Sequence, residues 1–317
     1  MSDVKEIKVN ENEVKEKPVK AKKVKTSVSD KAFNTVLTII ATIVLLIVLY
    51  PMIYVLSSSF SSGSAVSSGR VYLWPVEFST VGYQWALRNK LVWSGYANSI
   101  FYTLSATVIH LFMTICGAYP LSRKNYQAKG FIQKYLTASM LLGGGLIPLF
   151  LVVSSLGLYN NRIWIIISGV VAISHMIIMR TFFQSNIPYE LFESARMDGI
   201  SDYGYLIKIV LPLSKAVIAV ISLYAVVGKW NSYLTPLLYL RDRTKYPLQL
   251  VLNEMLNQAN FSQGDVIGGD ELVGKLAEAM DAIRYALIVV GVGPMLILYP
   301  FVQKFFEKGV TIGSVKG

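Results

Sequence analysis

Four carboxylates lie close together in the stretch ELFESARMDGISDYGYLIKIVLP, residues 190–212: Glu190, Glu193, Asp198 and Asp202. Long apolar runs flank the stretch on both sides. The chain has no H-E-x-x-H and no G-x-S-x-G, so hydrolytic chemistry has no recognisable machinery here. The pattern favours fixed negative charge displayed beside a partner surface, and not bond cleavage.

Helix signals surround these carboxylates. Pro188 is favoured at a helix start, Glu190 falls in the first turn, and Gly199 is a natural stop. The spacing predicts a short helix over residues 188–198, and Ser201 and Asp202 begin a second helix that runs toward Pro212. Gly199 allows the sharp turn between the two helices.

One face of the short helix is suited to close contact. Leu191 and Ala195 are four residues apart and share a face, and Ser194 and Ala195 are small. Two interpretations follow: the helix inserts into a groove of a soluble partner, or it lies on a lipid surface. Four carboxylates weaken the second interpretation, since an interfacial helix usually shows lysine and arginine on its polar face.

Composition places the whole chain in a membrane. Of its 317 residues 53% are hydrophobic and only 15% are charged, which is far more apolar surface than a soluble domain of this size buries. The net charge of +11 does not indicate nucleic acid, because the basic residues flank apolar runs and form no aromatic-studded patch. The single cysteine, Cys116, excludes an intramolecular disulfide and argues against a structural metal site.

The sequence predicts an all-α, polytopic fold with about six spans of about 20 residues each. They lie near residues 33–56, 96–121, 135–153, 163–183, 213–240 and 284–305. Residues 1–32 form a lysine-rich tail that we expect to be disordered, and residues 33–317 form the membrane domain. The first apolar run is too long for the h-region of a signal peptide. Gly143–Gly145 with Pro148, and Gly291, Gly293 and Pro294, favour a kink or close helix contact.

Lysine and arginine predict the orientation. The tail, the turn at residues 123–134, the segment 180–215 and the carboxyl end fall on one side, which should be the cytoplasm. Both termini are then cytoplasmic. The loops on the other side lie near residues 57–94, 157–162 and 241–281.

The polar sequence around residues 190–212 resembles the EAA signature of permease subunits of ATP-binding-cassette importers. The matching residues are Glu193, Ser194, Ala195, Asp198, Gly199, Ile209, Leu211 and Pro212. Ser194 stands where the family usually has alanine, and Ala216 where proline is frequent. The resemblance implies a type I importer transmembrane domain in which loop 186–215 carries the coupling helix, with Glu193 paired to a basic residue of an ATPase subunit and Gly199 forming the turn.

Further segments resemble the maltose-permease type of carbohydrate importer, in particular its subgroup for complex oligosaccharides. These are AYPLSRKNY at 118–126, GGGLIPLF at 143–150, KWNSYLTPLLYL at 229–240 and GVTIGSVKG at 309–317. The resemblance implies a bacterial cytoplasmic-membrane protein with a second, similar permease, two ATPase subunits and an external solute-binding protein as partners. It also implies that the tail 306–317 reaches the ATPase through residues such as Gly313, Ser314 and Lys316, whereas composition alone predicts a frayed end. Short helices at 246–257 and 271–281 would contact the binding protein.

No cofactor is expected on this chain. It has no G-x-x-x-x-G-K-[ST] loop, so ATP and Mg²⁺ belong on the partner ATPase. The proposed spans contain no Asp or Glu, which disfavours an ion-coupled carrier. A permease of the same machinery for peptides or phosphate-like solutes stays open. His110 and His175 have no evident catalytic company, and His175 is interpreted as a packed helix residue.

Lys229, Trp230, Asn231 and Tyr233 form a polar group inside a predicted span. Counting from Lys215 at about 1.5 Å per residue puts Lys229 roughly 21 Å along the helix, in the outer half of a core about 30 Å thick. A cation there should face protein or water. The two aromatic side chains are predicted to stack on sugar rings along a solute path, with Asn231 bonding hydroxyls; snorkelling and an ordinary aromatic belt explain the group nearly as well.

Overall fold

The computed structural model describes residues 28–264 and 271–314, and it describes side chains over a slightly smaller part of those ranges. The chain divides into two compact units at Pro51. The first holds the amino-terminal part of the first helix, and the second, residues 52–317, holds everything discussed below. Residues 1–27, which are most of the predicted tail, lie outside the described part.

Helices are the regular elements throughout the described residues, which confirms the all-α prediction. They are α1 Val28–Ser59, α2 Gly63–Ser67, α3 Val81–Arg88, α4 Lys90–Ser122, α5 Lys129–Leu141, α6 Leu146–Ser155, α7 Arg162–Ile167, α8 Ile173–Asn186, α9 Tyr189–Met197, α10 Asp202–Tyr205, α11 Leu211–Leu213, α12 Lys215–Trp230, α13 Leu234–Tyr239, α14 Leu248–Gly264 and α15 Glu271–Ser314. A π-helical turn, Leu206–Val210, joins α10 to α11, and a 3₁₀ turn, Arg243–Lys245, precedes α14.

Three helical segments in the described residues are long and apolar enough to cross a membrane: Asp30–Ser59, Lys90–Ser122 and Met280–Pro300. Two bent pairs raise the number to as many as five. In the first pair α5 and α6 meet at 110°, at the predicted glycine kink 143–145; in the second, the segment Asp202–Leu213 meets α12 at 80°. The fifth span is predicted over residues 213–240, but its helix, α12, ends at Trp230.

The predicted fourth span, residues 163–183, is wrong as a continuous helix. Helix α7 ends at Ile167, Gly169 adopts φ +75°, and α8 begins at Ile173. Side chains from other helices bind the freed carbonyls: Lys229 binds those of Ile165 and Ser168, and His110 binds that of Val170. Non-helical backbone at membrane depth is stable only where protein or water satisfies it in this way.

Three further boundaries differ from prediction. The proposed short helix at 271–281 is the beginning of α15, which continues to Ser314. The proposed helix at 246–257 is present as α14, which begins at Leu248. At the other end of the chain, residues 28–32, predicted as the end of the tail, belong to α1.

Helix α4 organises the second unit, since α8, α12 and α14 all pack against it. Its amino-terminal half shares a hydrophobic cluster with α12, α14 and α15, centred on Trp230, Leu248 and Leu287. Its carboxyl-terminal half shares another with α8, α9, α10 and α12, which includes Phe183, Phe192 and Ile221. At Gly291 of α15 an added Cβ would lie 2.9 Å from the Leu252 side chain, so this glycine serves close helix contact, as predicted.

Candidate functional sites

Helix α9 occupies the predicted place of the carboxylate-bearing helix, with Pro188 as its N-cap and Asp198 as its C-cap. Gly199 adopts φ +74°, which a residue with a Cβ reaches only with strain. The Gly199 amide donates to Arg196 O at 3.0 Å and the Ile200 amide donates to Ala195 O at 2.9 Å. This pair of bonds is a Schellman C-cap, which explains why a glycine follows the helix.

The two faces of α9 differ sharply. Phe192 and Ala195 are buried in the chain's own core, whereas Glu190, Glu193, Ser194 and Asp198 are exposed. The three carboxylates form no ion pair with any residue in the described part of the chain.

The predicted contact face of α9 is therefore divided. Leu191 is 39% exposed but Ala195 only 3%, so Ala195 packs inward and is not presented to an incoming surface. The exposed small residue is Ser194.

Arg123, which the sequence offers only as one of the charges that predict the orientation, attaches α9 to α4. Arg123, the C-cap of α4, lies with its guanidinium carbon 3.5 Å from the ring centroid of Phe192 and 5.2 Å from that of Tyr205. Tyr119 of α4 also donates to Asp202 O at 3.2 Å. Cation–π stacking of this kind stabilises by about 0.5–2 kcal/mol. These contacts attach α9 to the end of α4.

A second site is a cavity of about 600 Å³ among α4, α6, α7, α8, α12 and α13, which we call the Lys229 cavity. Its polar lining includes Lys229, His110 and His175, and its aromatic lining includes Trp164 and Tyr239. Among the residues that the structure describes, no Asp or Glu lines it.

Lys229 reaches from α12 to the carboxyl end of α7. Its Nζ donates to Ile165 O at 2.6 Å, to Ser168 O at 2.8 Å and to Ser168 Oγ at 3.3 Å. The carbonyls at a helix C-terminus carry partial negative charge, so a cation is stable there. Lys229 is predicted to face protein or water, and not lipid, and protein carbonyls bind its ammonium.

The two histidines meet in the wall of the same cavity, contrary to the expectation that His175 has no placed partner. His175 Nδ1 lies 2.9 Å from His110 Nε2, His110 Nδ1 lies 2.7 Å from Val170 O, and the Tyr224 ring stacks on His175 with centroids 5.4 Å apart. The residues are 65 positions apart in sequence, so no local motif signals the pair.

The other predicted path residues are not brought to the cavity. Trp230 is buried, and its Nε1 donates to Gly291 O at 3.1 Å on the other side of α12. Asn231 is the exposed C-cap of that helix, and Tyr233 is 45% exposed outside the cavity lining. Successive helical residues point about 100° apart, so neighbours in sequence do not share one lining. Gly313 and Ser314 fall in the last turn of α15, and Lys316 lies outside the described residues.

The sequence of the chain is similar to those of known transport proteins. Residues 23–312 match the family described as "Binding-protein-dependent transport system inner membrane component". The Bacillus subtilis (strain 168) protein "Polygalacturonan/rhamnogalacturonan transport system permease protein YtcP" is 38% identical, over 84% of this chain and 92% of that protein. "Protein LplC" of the same organism is 36% identical, over 84% of this chain and 89% of that protein.

A solved structure has the same fold. A chain of "a bacterial ABC transporter involved in the import of the acidic polysaccharide alginate" superposes with a TM-score of 0.76 at 37% identity, over 89% of this chain and 99% of that chain. The fold expected from the resemblance, a multi-pass importer transmembrane domain, is thus confirmed. The chain belongs to the family of inner membrane components of binding-protein-dependent transport systems, which are non-catalytic permease subunits served by separate ATPases and a binding protein.

Proposed function

We propose that this chain is one of two similar but distinct permease subunits of an importer for carbohydrate oligomers. The observation that carries the coupling role is α9, whose carboxylates face outward without partners in the described residues while Phe192 and Ala195 anchor it inward. Glu190, Leu191, Glu193, Ser194 and Asp198 would contact an ATPase subunit, with Gly199 setting the turn and Ala195 supporting the helix from behind.

The carbohydrate assignment rests on the relatives and on the cavity. Both YtcP and the alginate importer carry polysaccharide names. The Lys229 cavity, at about 600 Å³, is within the range of roughly 300–1,000 Å³ usual for ligand pockets. Its aromatic rings and hydrogen-bonding groups suit a molecule with apolar ring faces and polar hydroxyls.

The remaining parts of the machine follow from this role. ATP and Mg²⁺ would bind on two ATPase subunits, which the carboxyl-terminal residues Gly313, Ser314 and Lys316 would also approach. Both termini would lie in the cytoplasm, and a binding protein would deliver solute from outside. Closure of the ATPases around nucleotide would draw the two coupling helices together and turn the pathway outward by rigid-body motion.

Co-purification of the ATPase with the assembled permease tests the docking role. Glu193→Arg should release the ATPase, because the new cation would repel the basic ATPase residue with which Glu193 is expected to pair. Asn257→Arg is the matched control: it adds a cation at an exposed position of α14, which packs on the other half of α4, and should leave binding intact. Unchanged ATPase binding by Glu193→Arg would contradict the docking role.

Uptake into vesicles tests the energy source and the solute. ATP-dependent uptake of an oligosaccharide should persist when an ionophore dissipates ion gradients. Dependence on a proton gradient would instead indicate an ion-coupled carrier, and selective uptake of peptides would replace the carbohydrate assignment.

A further inference from the structure

We propose that the Lys229 cavity binds an acidic sugar unit, with the Lys229 ammonium as the counter-charge of its carboxylate and His175 as the partner of a neighbouring hydroxyl. This inference rests on the proposed function and narrows it from carbohydrates in general to uronates, sugars that carry a carboxylate. It also assigns the recognition to residues of this chain inside the membrane.

The first argument is charge. Lys229 contributes a cation to the lining, and no carboxylate from the described part of the chain lines the cavity. The ion pairs of the described residues involve Arg70, Arg243, Lys245 and Arg284, none of which lines the cavity. The carbonyls of Ile165 and Ser168 hold the ammonium in position but do not neutralise it. A cation in surroundings of low dielectric attracts an anion far more strongly than it would in water.

The second argument is the geometry of the ammonium. Its three N–H groups have two short bonds to carbonyls, at 2.6 and 2.8 Å, and one long bond to Ser168 Oγ, at 3.3 Å. The long bond is the weakest of the three. A carboxylate oxygen can replace Ser168 Oγ while the two carbonyls keep Lys229 in place, and the new bond is stronger because it joins two opposite charges.

The third argument is the direction of the histidine pair. A carbonyl oxygen only accepts, so His110 donates from Nδ1 to Val170 O, and in its neutral form its Nε2 accepts from His175 Nδ1. Neutral His175 then keeps a lone pair on Nε2, for which the described part of the chain provides no donor. The Nε2 atom can accept a hydrogen bond from a sugar hydroxyl. The hydrogen bonds that run from His175 through His110 to Val170 O hold the imidazole ring in position for it.

Two aromatic residues contribute ring surface to the same wall. Trp164 and Tyr239 both line the cavity, and their rings pack edge to face with centroids 5.4 Å apart. The apolar face of a sugar ring can pack on such aromatic surface.

A simpler role for Lys229 is to cap α7 and satisfy its last carbonyls. That role predicts that loss of the cation weakens every solute equally, through the fold. Recognition of a carboxylate predicts instead that the loss discriminates between a charged sugar and its neutral ester.

The experiment uses the complete importer in nanodiscs without its binding protein, so that selectivity of the binding protein does not enter. Binding of trigalacturonate and of its fully methyl-esterified form is measured by calorimetry. We expect the native importer to bind the acid at least about tenfold more tightly, because the ester lacks the negative charge that pairs with the Lys229 ammonium. Lys229→Met should abolish that preference while ester binding persists, and Lys229→Arg should retain it.

Equal binding of acid and ester by the native importer would overturn the inference, and this outcome needs no variant to fold. Equal losses for both ligands in Lys229→Met, with a lowered Tm, would also overturn it in favour of the capping role. If the native importer took up neutral oligosaccharides only, the proposed function would stand and the inference would fail. If no carbohydrate bound or stimulated ATP hydrolysis, the proposed function itself would fail.

Discussion

In α9 the carboxylates point away from the protein and have no partner in the described residues, whereas in the Lys229 cavity the charged group is held by carbonyls from another helix. The first site is a contiguous run of residues on one short helix. The second is assembled from α4, α6, α7, α8, α12 and α13. A surface that docks a partner can be encoded locally, but a site that holds a cation at membrane depth needs several helices to satisfy it.

The largest effect is expected from a substitution that changes the backbone at the end of α9. Gly199→Val should abolish co-purification of the ATPase, because a β-branched residue strongly resists φ +74° and the C-cap of α9 would be lost. The space around Gly199 is open, so the effect comes from backbone strain and not from a clash.

Gly157→Val is the matched control for this change. Gly157 has φ +69° and equally open surroundings, but it lies in the loop between α6 and α7. It should destabilise the chain to a similar extent and leave ATPase binding unchanged. Loss of the ATPase in both variants would show that general instability, and not α9, is responsible.

A smaller effect is expected when the anchor of α9 is removed but its outer carboxylates stay. Phe192→Ala should cost about 3–5 kcal/mol of packing and free the stacked guanidinium of Arg123. The ATPase should still bind, but the ratio of solute transported to ATP hydrolysed should fall several-fold because α9 no longer moves with α4.

Phe131→Ala, at an aromatic residue of α5 that is 77% exposed, should change neither quantity. A Phe192→Ala variant that kept the native transport ratio would contradict the mechanical link through Arg123.

A more modest effect is expected at the Lys229 cavity, from substitution of His110. His110→Ala leaves the Val170 carbonyl without its donor, which should cost about 1–3 kcal/mol. His110→Asn restores a donor near the position of Nδ1 and should recover part of the loss. Thermal unfolding and hydrogen exchange over residues 168–172 measure both variants, and equal behaviour of the two would argue against a role for the Val170 bond.

The smallest expected effect concerns a carboxylate that, unlike those of α9, has partners. The Thr244 hydroxyl and amide hydrogen-bond Asp242 and lower the pKa of its carboxyl below the ordinary 3.8. Because the folded-state pKa is lowered, the stabilisation that ionised Asp242 gives the folded chain is complete above pH 3.8. It is lost as the pH falls through the lowered pKa. Protection of the Thr244 amide from hydrogen exchange, taken relative to its intrinsic exchange rate at each pH, should therefore fall only in strong acid, and Asp242→Asn should shift or remove that transition. Loss of this protection near neutral pH would show that another group controls this loop.

The sequence predicted the all-α fold, the bounds of α9, the turn at Gly199 and the protein-facing position of Lys229. It failed at residues 163–183, where an apolar run reads as one helix although the chain breaks at Gly169. The break is stable because Lys229 of α12 and His110 of α4 bind the freed carbonyls. The hydropathy of residues 163–183 cannot indicate donors that lie so far away in the sequence.

The same distinction separates the two sites. The sequence by itself determined a helix whose start, charge and end are set by neighbouring residues, since N-caps, first-turn acids and C′ glycines act within a few positions. Only the tertiary structure decided that Ala195 and Trp230 face inward, that Arg123 stacks on Phe192, and that His110 meets His175. The physical reason is that side-chain direction depends on how each helix is rotated against its neighbours, and helix packing fixes that rotation.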